Sequence, residues 1–401
     1  MCGIAGIIRF SQRNMPGDSD LVWKMLGTLK HRGPDHAQVK ALPAMTIGHT
    51  RLSIVDPSES SNQPLQSGDG RYWITFNGEI YNFLELRSEL ETAGRKFQTQ
   101  SDTEVILAAY QQWGEESLHR FNGMWAFAIH DLQTGENFLA RDRFGVKPLY
   151  YSQDGNRLLF ASEMKALLAA GVAASPNFDV LRSQHSLASC DCSDRTIFSQ
   201  IRALPAGHSL RIHKDRLQVT RWWNTLEQRI EVPRSRKERI RKFHDLLKDA
   251  TRIRLRSDVG TAITLSGGMD SSAVYLFTKQ ITNSDGLFDV TTRRKKQPEI
   301  FSVTHPGQPT DESEYARLCL DQFGDEAHWL TISPDRFREQ ISEIIRSQES
   351  PVWSAAVFAY HEIYRKIAKA NIRVVLEGHG SDEMLGGYHY LVNAALKTYA
   401  K

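Results

Sequence analysis

Residues 261–272 read TAITLSGGMDSS, and the fold of the second half of the chain follows from this stretch. Thr261–Leu265 is a short run with β-branched residues, which predicts a buried strand. The glycines and serines that follow predict a turn, and a helix is predicted from Ser271. N–H groups at a helix N-terminus cradle an anion, and serine hydroxyls add donors. An ordinary glycine-rich turn is the alternative; a Walker loop is excluded, because no GxxxxGK[ST] occurs.

Strands and helices alternate on both sides of this turn. Because parallel strands are joined through helices, the pattern predicts a doubly wound α/β domain with a parallel sheet. A charged stretch, Glu231–Arg241, predicts a linker that precedes this domain. The predicted elements are a helix with apolar residues at Ile240, Phe243, Leu246, Leu247, Ala250 and Ile253, strand Ile300–Val303, helix Glu312–Phe323, helix Ser354–Ala370 and strand Ile372–Leu376.

The first 150 residues contain many short runs of β-branched and aromatic residues, which predict strands. Two helices interrupt them, Leu84–Ala93 and Thr103–Trp113, the second with Ser101 and Asp102 as capping residues. Many strands with few helices predict an α+β sandwich. The predicted strands are Cys2–Phe10, Met45–Leu52, Tyr72–Asn77, Met124–Asp131, Asn137–Asp142 and Leu158–Ser162.

The composition is that of a globular protein with more than one domain. The chain has 401 residues and a net charge of +3, which is too small to predict a nucleic-acid or membrane partner. The basic run Arg293–Lys296 predicts a solvated loop, with a binding patch as the alternative. No apolar stretch approaches the ~18 residues of a membrane span, and the start lacks the layout of a signal peptide. Four cysteines predict a reducing, cytoplasmic location.

Cys2 directly follows the initiator methionine, and its small side chain permits removal of Met1. The thiol and a free α-amino group would then share one residue, so that the amine can act as the base for its own nucleophile. A buried structural cysteine in a first strand is the alternative reading of Met-Cys alone.

Five segments in order resemble the N-terminal-nucleophile (class II) glutamine amidotransferases. They are MCGIAGI at the start, HRGPD from His31, RLSI from Arg51, NGEIYN from Asn77 and SDTE from Ser101. RDRFGVKPLY from Arg141 and PAGH from Pro205 resemble the asparagine-synthetase branch in particular. The resemblance implies an N-terminal-nucleophile hydrolase sandwich at residues 2–213, which carries the glutaminase activity.

The resemblance also assigns roles to residues of this domain. Cys2 is the implied nucleophile, and Asn77 with the Gly78 N–H forms the oxyanion hole. The alternative for Asn77-Gly78 is a type I′ hairpin turn. Arg51 pairs with the glutamine carboxylate, and Glu79 and Asp102 hold its ammonium. The implied glutamine-binding residues are Arg51, Leu52, Ser53, Ile54, Val55, Asn77, Gly78, Glu79 and Asp102.

SGGMDSS resembles the pyrophosphate loop of the ATP-pyrophosphatases, and EGHGSDEMLGGY from Glu377 resembles a second loop of the synthetase family. The resemblance implies an asparagine-synthetase-like domain at residues 236–401 that binds ATP and Mg²⁺. Asp270 and Asp382 are the implied metal residues, although Asp270 could instead cap its helix. Glu377 stands where the family usually has serine. The implied ATP-binding residues are Leu265, Ser266, Gly267, Gly268, Asp270, Ser271, Val303, Glu377 and Gly378.

Glu349 stands where the family carries a carboxylate that acts on the adenylate and the incoming ammonia. The implied reaction is asparagine synthesis, in which ammonia from glutamine amidates the adenylated β-carboxylate of aspartate. The segment after Glu349 departs from the family pattern, so another carboxylic acid, such as a uronic acid or a precursor closing on its own amine, stays open as acceptor. A non-catalytic regulatory relative is the other alternative.

Three further expectations complete the sequence analysis. Cys190 and Cys192, with His185 and His208 nearby, are a weak indication of zinc, because no second cysteine pair lies at finger spacing. The chain ends at Lys401, shortly after Gly387, whereas the family's synthetase domain usually continues. We therefore expect a truncated synthetase half that makes amide slowly or not at all, beside a complete glutaminase half. A homodimer is possible within the family.

Overall fold

The computed structural model describes the chain except Gln12, 188–192, Arg229, 284–296, Thr310, Pro334, Trp353, Ala355 and 389–401. It divides into two compact units, each built around cores of its own. Unit 1 comprises Met1–Glu231 with Gln348–Trp353, and unit 2 comprises Val232–Ser347 with Ser354–Lys401. No helix in the described part of the chain has the length and apolar character that a membrane span requires.

Unit 1 contains two six-stranded antiparallel sheets. One has the order β10-β8-β9-β1-β3-β2 and the other β12-β11-β7-β6-β5-β4. The strands are β1 Gly3–Arg9, β2 His36–Ala41, β3 Met45–Arg51, β4 Leu65–Gln66, β5 Tyr72–Ile80, β6 Gly123–Asp131, β7 Asn137–Arg141, β8 Tyr150–Asp154, β9 Arg157–Ala161, β10 Arg202–Ala203, β11 His208–His213 and β12 Arg216–Arg221.

Three apolar clusters stack the sheets and helices of unit 1 into four layers. The middle cluster joins the two sheets face to face, for example Ile4 of β1 with Leu139 of β7. The outer face of the second sheet packs on α2 and α3, and that of the first on α1 and α5. The helices are α1 Asp18–Gly27, α2 Phe83–Thr92, α3 Asp102–Trp113, α4 Ser117–Arg120, α5 Met164–Ala169 and α6 Phe178–Leu187.

The six strands and two helices predicted for this half are confirmed, with ends that differ by a few residues. Ser101 caps α3, because its side chain accepts the Glu104 N–H at 3.3 Å. The hairpin reading of Asn77-Gly78 is wrong: β5 continues to Ile80, and these residues pair with Ala126 and Trp125 of β6. Both strands are buried almost continuously here, and the pairing of two buried strands outweighs the turn preference of Asn-Gly.

Unit 2 is built on a four-stranded parallel sheet with the order β15-β14-β13-β16. The predicted alternation of strands and helices is confirmed, while β15, α10 and α12 were missed. The elements are α7 Arg236–Arg254, β13 Thr261–Thr264, α8 Met269–Asn283, β14 Glu299–Thr304, α9 Ser313–Asp321, β15 His328–Thr331, α10 Asp335–Gln348, α11 Ala356–Lys369, β16 Val374–Leu376 and α12 Ser381–Leu385.

Helices cover both faces of this sheet, as a doubly wound fold requires. Ile263 of β13 packs with Tyr275 of α8 and Leu320 of α9 on one face. Ala262, the preceding residue, packs with Ile363 and Ile367 of α11 on the other.

The predicted linker Glu231–Arg241 is wrong in its second half, because α7 begins at Arg236. Three residues of the apolar spacing that predicted this helix, Ile240, Phe243 and Leu246, are exposed. Charged residues at the intervening positions made the first turns resemble a linker, although lysine, arginine and glutamate are good helix formers.

Candidate active sites

Cys2 lies directly before β1, and the pairing of Gly3 with Thr50 places it beside the end of β3. The Leu52 N–H points at Cys2 Sγ across 3.4 Å, and Arg32 Nε donates to the Cys2 carbonyl at 2.8 Å. Burial raises the pKa of the Cys2 thiol, while the Leu52 N–H and the charges of the terminal amine and Arg51 act in the opposite direction. The structure thus surrounds the predicted nucleophile with donors and positive charge.

Arg51 ends β3 next to Cys2 and is buried. Its guanidinium donates to the carbonyls of Asp56 and Ser58 and, at 2.8 Å, to Asn62 Oδ1. It therefore holds the loop that follows Leu52–Val55. In this loop the Ser53 N–H donates to Asp35 Oδ2 at 2.8 Å. The predicted carboxylate ligand and the RLSI segment lie together beside Cys2.

Asn77 is fully buried in β5, and among the residues that the structure describes neither its Oδ1 nor its Nδ2 has a hydrogen-bond partner. An unpaired buried amide costs about 1–3 kcal/mol, so a native structure keeps one where a ligand satisfies it. Gly78 has no room for a side chain, since a Cβ would lie 2.3 Å from the Met124 carbonyl. These are the two residues that were predicted to bind an oxyanion.

Asp102 begins α3, and its Oδ2 accepts the Ile80 N–H at 3.0 Å. Burial raises the pKa of Asp102 to about 6, and its hydrogen bonds and the charge of Arg51 oppose this rise. Glu79, one residue before Ile80, is also buried. The carboxylates predicted to hold the glutamine ammonium are therefore on adjoining elements.

Charged residues to which the sequence assigned no role complete this site. Arg32 Nη1 donates to Glu163 Oε1 at 2.7 Å, and His31 and Lys165 also contact Glu163. Lys147, from the RDRFGVKPLY segment, is buried as well. His31, Arg32 and Lys147 lie in segments that were recognised by resemblance, and that membership was the one available signal.

The SGGMDSS turn joins β13 to α8 in unit 2. Ser266 Oγ and Ser271 Oγ are 2.9 Å apart, and the Gly268 N–H donates to Ser266 Oγ at 3.2 Å. Gly267 has φ of 97°, in the left-handed region that favours glycine, and a Cβ there would lie 2.3 Å from the Glu312 carbonyl. The turn presents N–H and hydroxyl groups at the start of a 15-residue helix, as the anion cradle requires.

The second predicted loop packs against the first within unit 2. A Cβ on Gly378 would lie 2.7 Å from the Ser271 nitrogen and 2.9 Å from Asp270. Glu377 precedes this contact, and its carboxylate accepts the Tyr364 hydroxyl at 2.7 Å and lies 2.9 Å from His379 Nδ1. The structure therefore brings Gly378 to the pyrophosphate loop, while Glu377 is engaged by its own neighbours.

The acidic residues near these loops are a candidate cation site. Burial raises the pKa of Asp270, and the charges of Asp382 and Glu383 raise it further. Clustered carboxylates that repel one another are relieved by a divalent cation, and Mg²⁺ usually binds through one or two carboxylates plus phosphates. In the described part of the chain, no three His, Cys, Asp or Glu side chains form a preassembled metal cluster. These carboxylates fit a divalent cation that binds together with a nucleotide.

Leu265 and Val303 occupy neighbouring strands, β13 and β14. Leu265 is buried, and its carbonyl accepts the Ser302 hydroxyl at 2.6 Å. Val303 is half-buried and packs in the cluster on the α11 face. These predicted ATP-binding residues thus border different cores of unit 2.

Glu349 belongs to the Gln348–Trp353 segment of unit 1. Its carboxylate accepts the N–H groups of Met164 and Lys165, both at 2.6 Å, at the start of α5. Its backbone has φ of 55°, which is strained for a residue other than glycine. The hydrogen bonds of Glu349 are thus made at α5, and its predicted role in adenylate chemistry stays a prediction.

The cysteines weighed as a zinc site, Cys190 and Cys192, lie outside the described residues, as does the basic run 293–296. The described cysteines, Cys2 and Cys319, are free thiols. His208 Nδ1 lies 2.8 Å from the Ala206 carbonyl.

Comparisons with known proteins agree with this division. The model of a glutamine amidotransferase domain matches residues 1–223, and that of asparagine synthase matches residues 242–400. The first match shows that residues 1–223 are a glutamine amidotransferase domain. Glutamine phosphoribosylpyrophosphate amidotransferase from Bacillus subtilis, solved with ADP and GMP, superposes with a TM-score of 0.44 over 82% of this chain and 81% of that chain, at 16% identity.

The chain belongs to the glutamine-hydrolysing asparagine synthetase family. A protein of Methanocaldococcus jannaschii named as such a synthetase is 33% identical over 97% of this chain and 76% of its own length. Asparagine synthetase 3 of Bacillus subtilis is 31% identical over 99% of this chain and 65% of its own length. This chain spans only part of each relative.

Proposed function

We propose that the chain releases ammonia from glutamine at Cys2 and uses it, with ATP, to amidate the side-chain carboxylate of aspartate. Residues 2–213 would form the glutaminase domain and residues 236–401 the synthetase domain. The observation that carries the proposal is the buried amide of Asn77, which has no hydrogen-bond partner in the described part of the chain. It lies in a site with Cys2, Arg51 and Asp102. Such an amide is suited to the oxyanion of a tetrahedral intermediate.

In the glutaminase step, Cys2 Sγ attacks the side-chain amide carbon of glutamine. The negative charge that forms on the amide oxygen is met by the Asn77 Nδ2–H and the Gly78 N–H. Collapse of the intermediate breaks the C–N bond, releases ammonia and leaves a γ-glutamyl thioester, which water hydrolyses to glutamate. Arg51 would bind the glutamine carboxylate, and Glu79 and Asp102 its ammonium.

In the synthetase step, a carboxylate is activated because its oxygen is otherwise a poor leaving group. Carboxylate oxygen attacks the α-phosphorus of ATP, and pyrophosphate leaves into the cradle formed by Ser266, Gly267, Gly268 and Ser271. Ammonia then displaces AMP. Asp270 and Asp382 would hold Mg²⁺, which would neutralise the negative charge of the phosphates. Glu349 is kept as the candidate carboxylate for the adenylate, although its present contacts are with α5.

Support for aspartate as the acceptor comes from the family to which the chain belongs, whose members listed above are named for asparagine synthesis. The segment after Glu349 departs from the family pattern, and a panel of acids tests this point. Aspartate, a uronic acid and amine-bearing acids would each be offered with glutamine and ATP, and the amide product identified. Amidation of another acid alone would overturn aspartate as acceptor, and absence of glutamine hydrolysis would overturn the whole proposal.

The proposal also includes a cellular location and an oligomeric state. A nucleophilic thiol that must stay reduced supports a cytoplasmic location. Homodimer formation is also proposed on the family resemblance alone. Sedimentation velocity at micromolar concentration distinguishes a dimer from a monomer.

A further inference from the structure

Lys147 is a buried cation in unit 1 to which neither the resemblance nor the comparisons assign a role. Its side chain is 3% exposed. In the described part of the chain, the hydrogen-bond partner of Nζ is the Met1 thioether, at 2.7 Å from Sδ. A lysine ammonium carries three strong donors, and burying it without an anionic hydrogen-bond partner is costly. Glu79 and Asp142 act on this ammonium through their charges, but its hydrogen bond in the described part of the chain is made to a neutral sulfur, so its remaining donors can meet a further negative charge.

The loop that carries Lys147 is built to hold this side chain inward. Asp142 accepts the N–H groups of Phe144, Val146 and Lys147 at 3.0–3.1 Å. Arg141 donates to the Lys147 carbonyl at 2.8 Å and to the Gly145 carbonyl at 2.7 Å. Phe144 and Val146 are exposed, whereas Lys147 faces the interior. The apolar side chains of this loop thus point outward while the lysine points inward. Apolar packing therefore does not explain why Lys147 is buried.

Lys147 reaches the N-terminus of the chain, because its Nζ contacts Met1, the residue directly before Cys2. Burial lowers the pKa of Lys147 to about 8, Glu79 and Cys2 raise it, and Arg32 lowers it. The positive charge of Lys147 also lowers the pKa of the Met1 terminal amino group. Because Met1 directly precedes Cys2, removal of Met1 would take away the Sδ acceptor of Nζ.

We propose that Lys147 is a positioning residue of the glutaminase reaction, whose buried ammonium stabilises the thiolate form of Cys2. This inference rests on the proposed function of Cys2 as nucleophile. The thiol proton leaves to the α-amino group of the processed terminus, and the negative charge on sulfur is then balanced by the Lys147 ammonium.

Any test of this proposal must leave the other charged residues around Cys2 and Lys147 unchanged. The groups that act on the Cys2 thiol, the terminal amine or the Lys147 ammonium are Arg32, Asp35, Arg51, Glu79, Asp102 and Asp142.

The test is the pH dependence of Cys2 alkylation by iodoacetamide in the processed chain, followed by mass spectrometry of the N-terminal peptide. Lys147→Met should raise the pH midpoint of alkylation by about one unit, as loss of a neighbouring opposite charge does. Its kcat for glutamine hydrolysis at neutral pH should fall about tenfold, with KM within twofold. Lys147→Arg, which keeps the positive charge, should have the wild-type pH midpoint of alkylation.

Lys40→Met is the matched control. Lys40 is a half-buried lysine of the same unit, with its ammonium over the Trp73 ring, and its loss should leave the midpoint unchanged. If Lys147→Met does not fold, Lys147→Gln gives the same comparison. An unchanged midpoint in the folded variant overturns the inference, even if kcat falls. A wild-type chain that alkylates at Cys2 but hydrolyses no glutamine overturns the proposed function instead, so the two failures are distinguishable.

Discussion

The Ile80 N–H donates a 3.0 Å hydrogen bond to Asp102 Oδ2, which fastens the end of β5 to the start of α3. Because Glu79 precedes Ile80, this bond joins the two elements that carry the buried carboxylates Glu79 and Asp102. It also explains why NGEI and SDTE, more than 20 residues apart in sequence, contribute to one site. The bond is thus part of the architecture that the proposed ammonium pocket needs.

Glutamine binding should depend on the ionisation of Asp102. Burial raises the pKa of Asp102 to about 6, so the carboxylate is protonated as the pH falls through that value and loses its attraction for an ammonium group. KM for glutamine should therefore rise below about pH 6, by about tenfold per pH unit. Asp102→Asn should raise KM above that pH and flatten the profile. Asp20→Asn, on an exposed position of α1, is the control, and a wild-type KM that is flat down to pH 5 would contradict the assignment.

Loss of the Asn77 amide should slow the chemical step more than binding. Asn77→Ala should reduce kcat for glutamine hydrolysis by about 10²–10³-fold, the usual effect of removing one oxyanion donor. Asn137→Ala provides the comparison, because Asn137 is an equally buried asparagine whose Oδ1 lies 2.8 Å from His130 Nδ1. A similar loss of kcat in both variants would show that Asn77 acts through folding alone.

Ionised Glu163 should stabilise unit 1. Burial opposes its ionisation, but His31, Arg32 and Lys165 outweigh burial and lower the pKa of Glu163 to about 2. Since this pKa lies below the ordinary value of 4.5, the stabilisation is present above pH 4.5 and is lost as the pH falls toward 2. Glu163→Gln should lower the free energy of unfolding at pH 7 by about 3 kcal/mol.

Urea unfolding of unit 1 as a function of pH measures this effect. The difference between wild type and Glu163→Gln should shrink as the pH falls from 4.5 toward 2. The exposed residue Glu59 serves as the control through Glu59→Gln. A difference that stays constant across this range would rule out the ionised carboxylate as its cause.

ATP should be split to AMP and pyrophosphate, because SGGMDSS cradles an anion and the chain has no Walker loop. Nucleotide products would be quantified with and without an acceptor acid. Asp270→Asn should reduce AMP formation at low Mg²⁺ more than at high Mg²⁺, whereas Asp321→Asn, at an exposed position of α9, should change neither. ADP as the main product would refute the pyrophosphatase assignment, and undiminished turnover would remove Asp270 from the metal site.

The sequence predicted most elements of both units because their apolar patterns are strong. The strands around Cys2 alternate or are buried on both sides, and the run before SGGMDSS feeds a helix. Register could not be predicted: the pairing of Gly3 with Thr50 that places Cys2 beside Leu52 depends on contacts across almost fifty residues. The extension of β5 through Asn77 and Gly78 was missed because local turn preference pointed the other way.

Contacts between distant residues account for the features that no sequence pattern revealed. The inward direction of Lys147 depends on Asp142 and Arg141 together. The sequence around it, Gly145-Val146-Lys147-Pro148, has no periodic pattern from which its burial could be predicted. The hydrogen bonds of Glu349 to α5 join residues about 185 positions apart, so they follow from tertiary structure alone. Resemblance located the segments, and the structure supplied the geometry.

The central claim, that Cys2 is the glutaminase nucleophile and serves only that half-reaction, is tested most directly by Cys2→Ala. Glutamate release from glutamine would be measured in the purified wild type and in this variant, with thermal unfolding to verify the fold. AMP formation with ammonium chloride in place of glutamine would be measured beside it. The account predicts that glutamate release falls to background while any ammonia-dependent AMP formation is unchanged. A folded Cys2→Ala variant that still hydrolyses glutamine at the wild-type rate would contradict it.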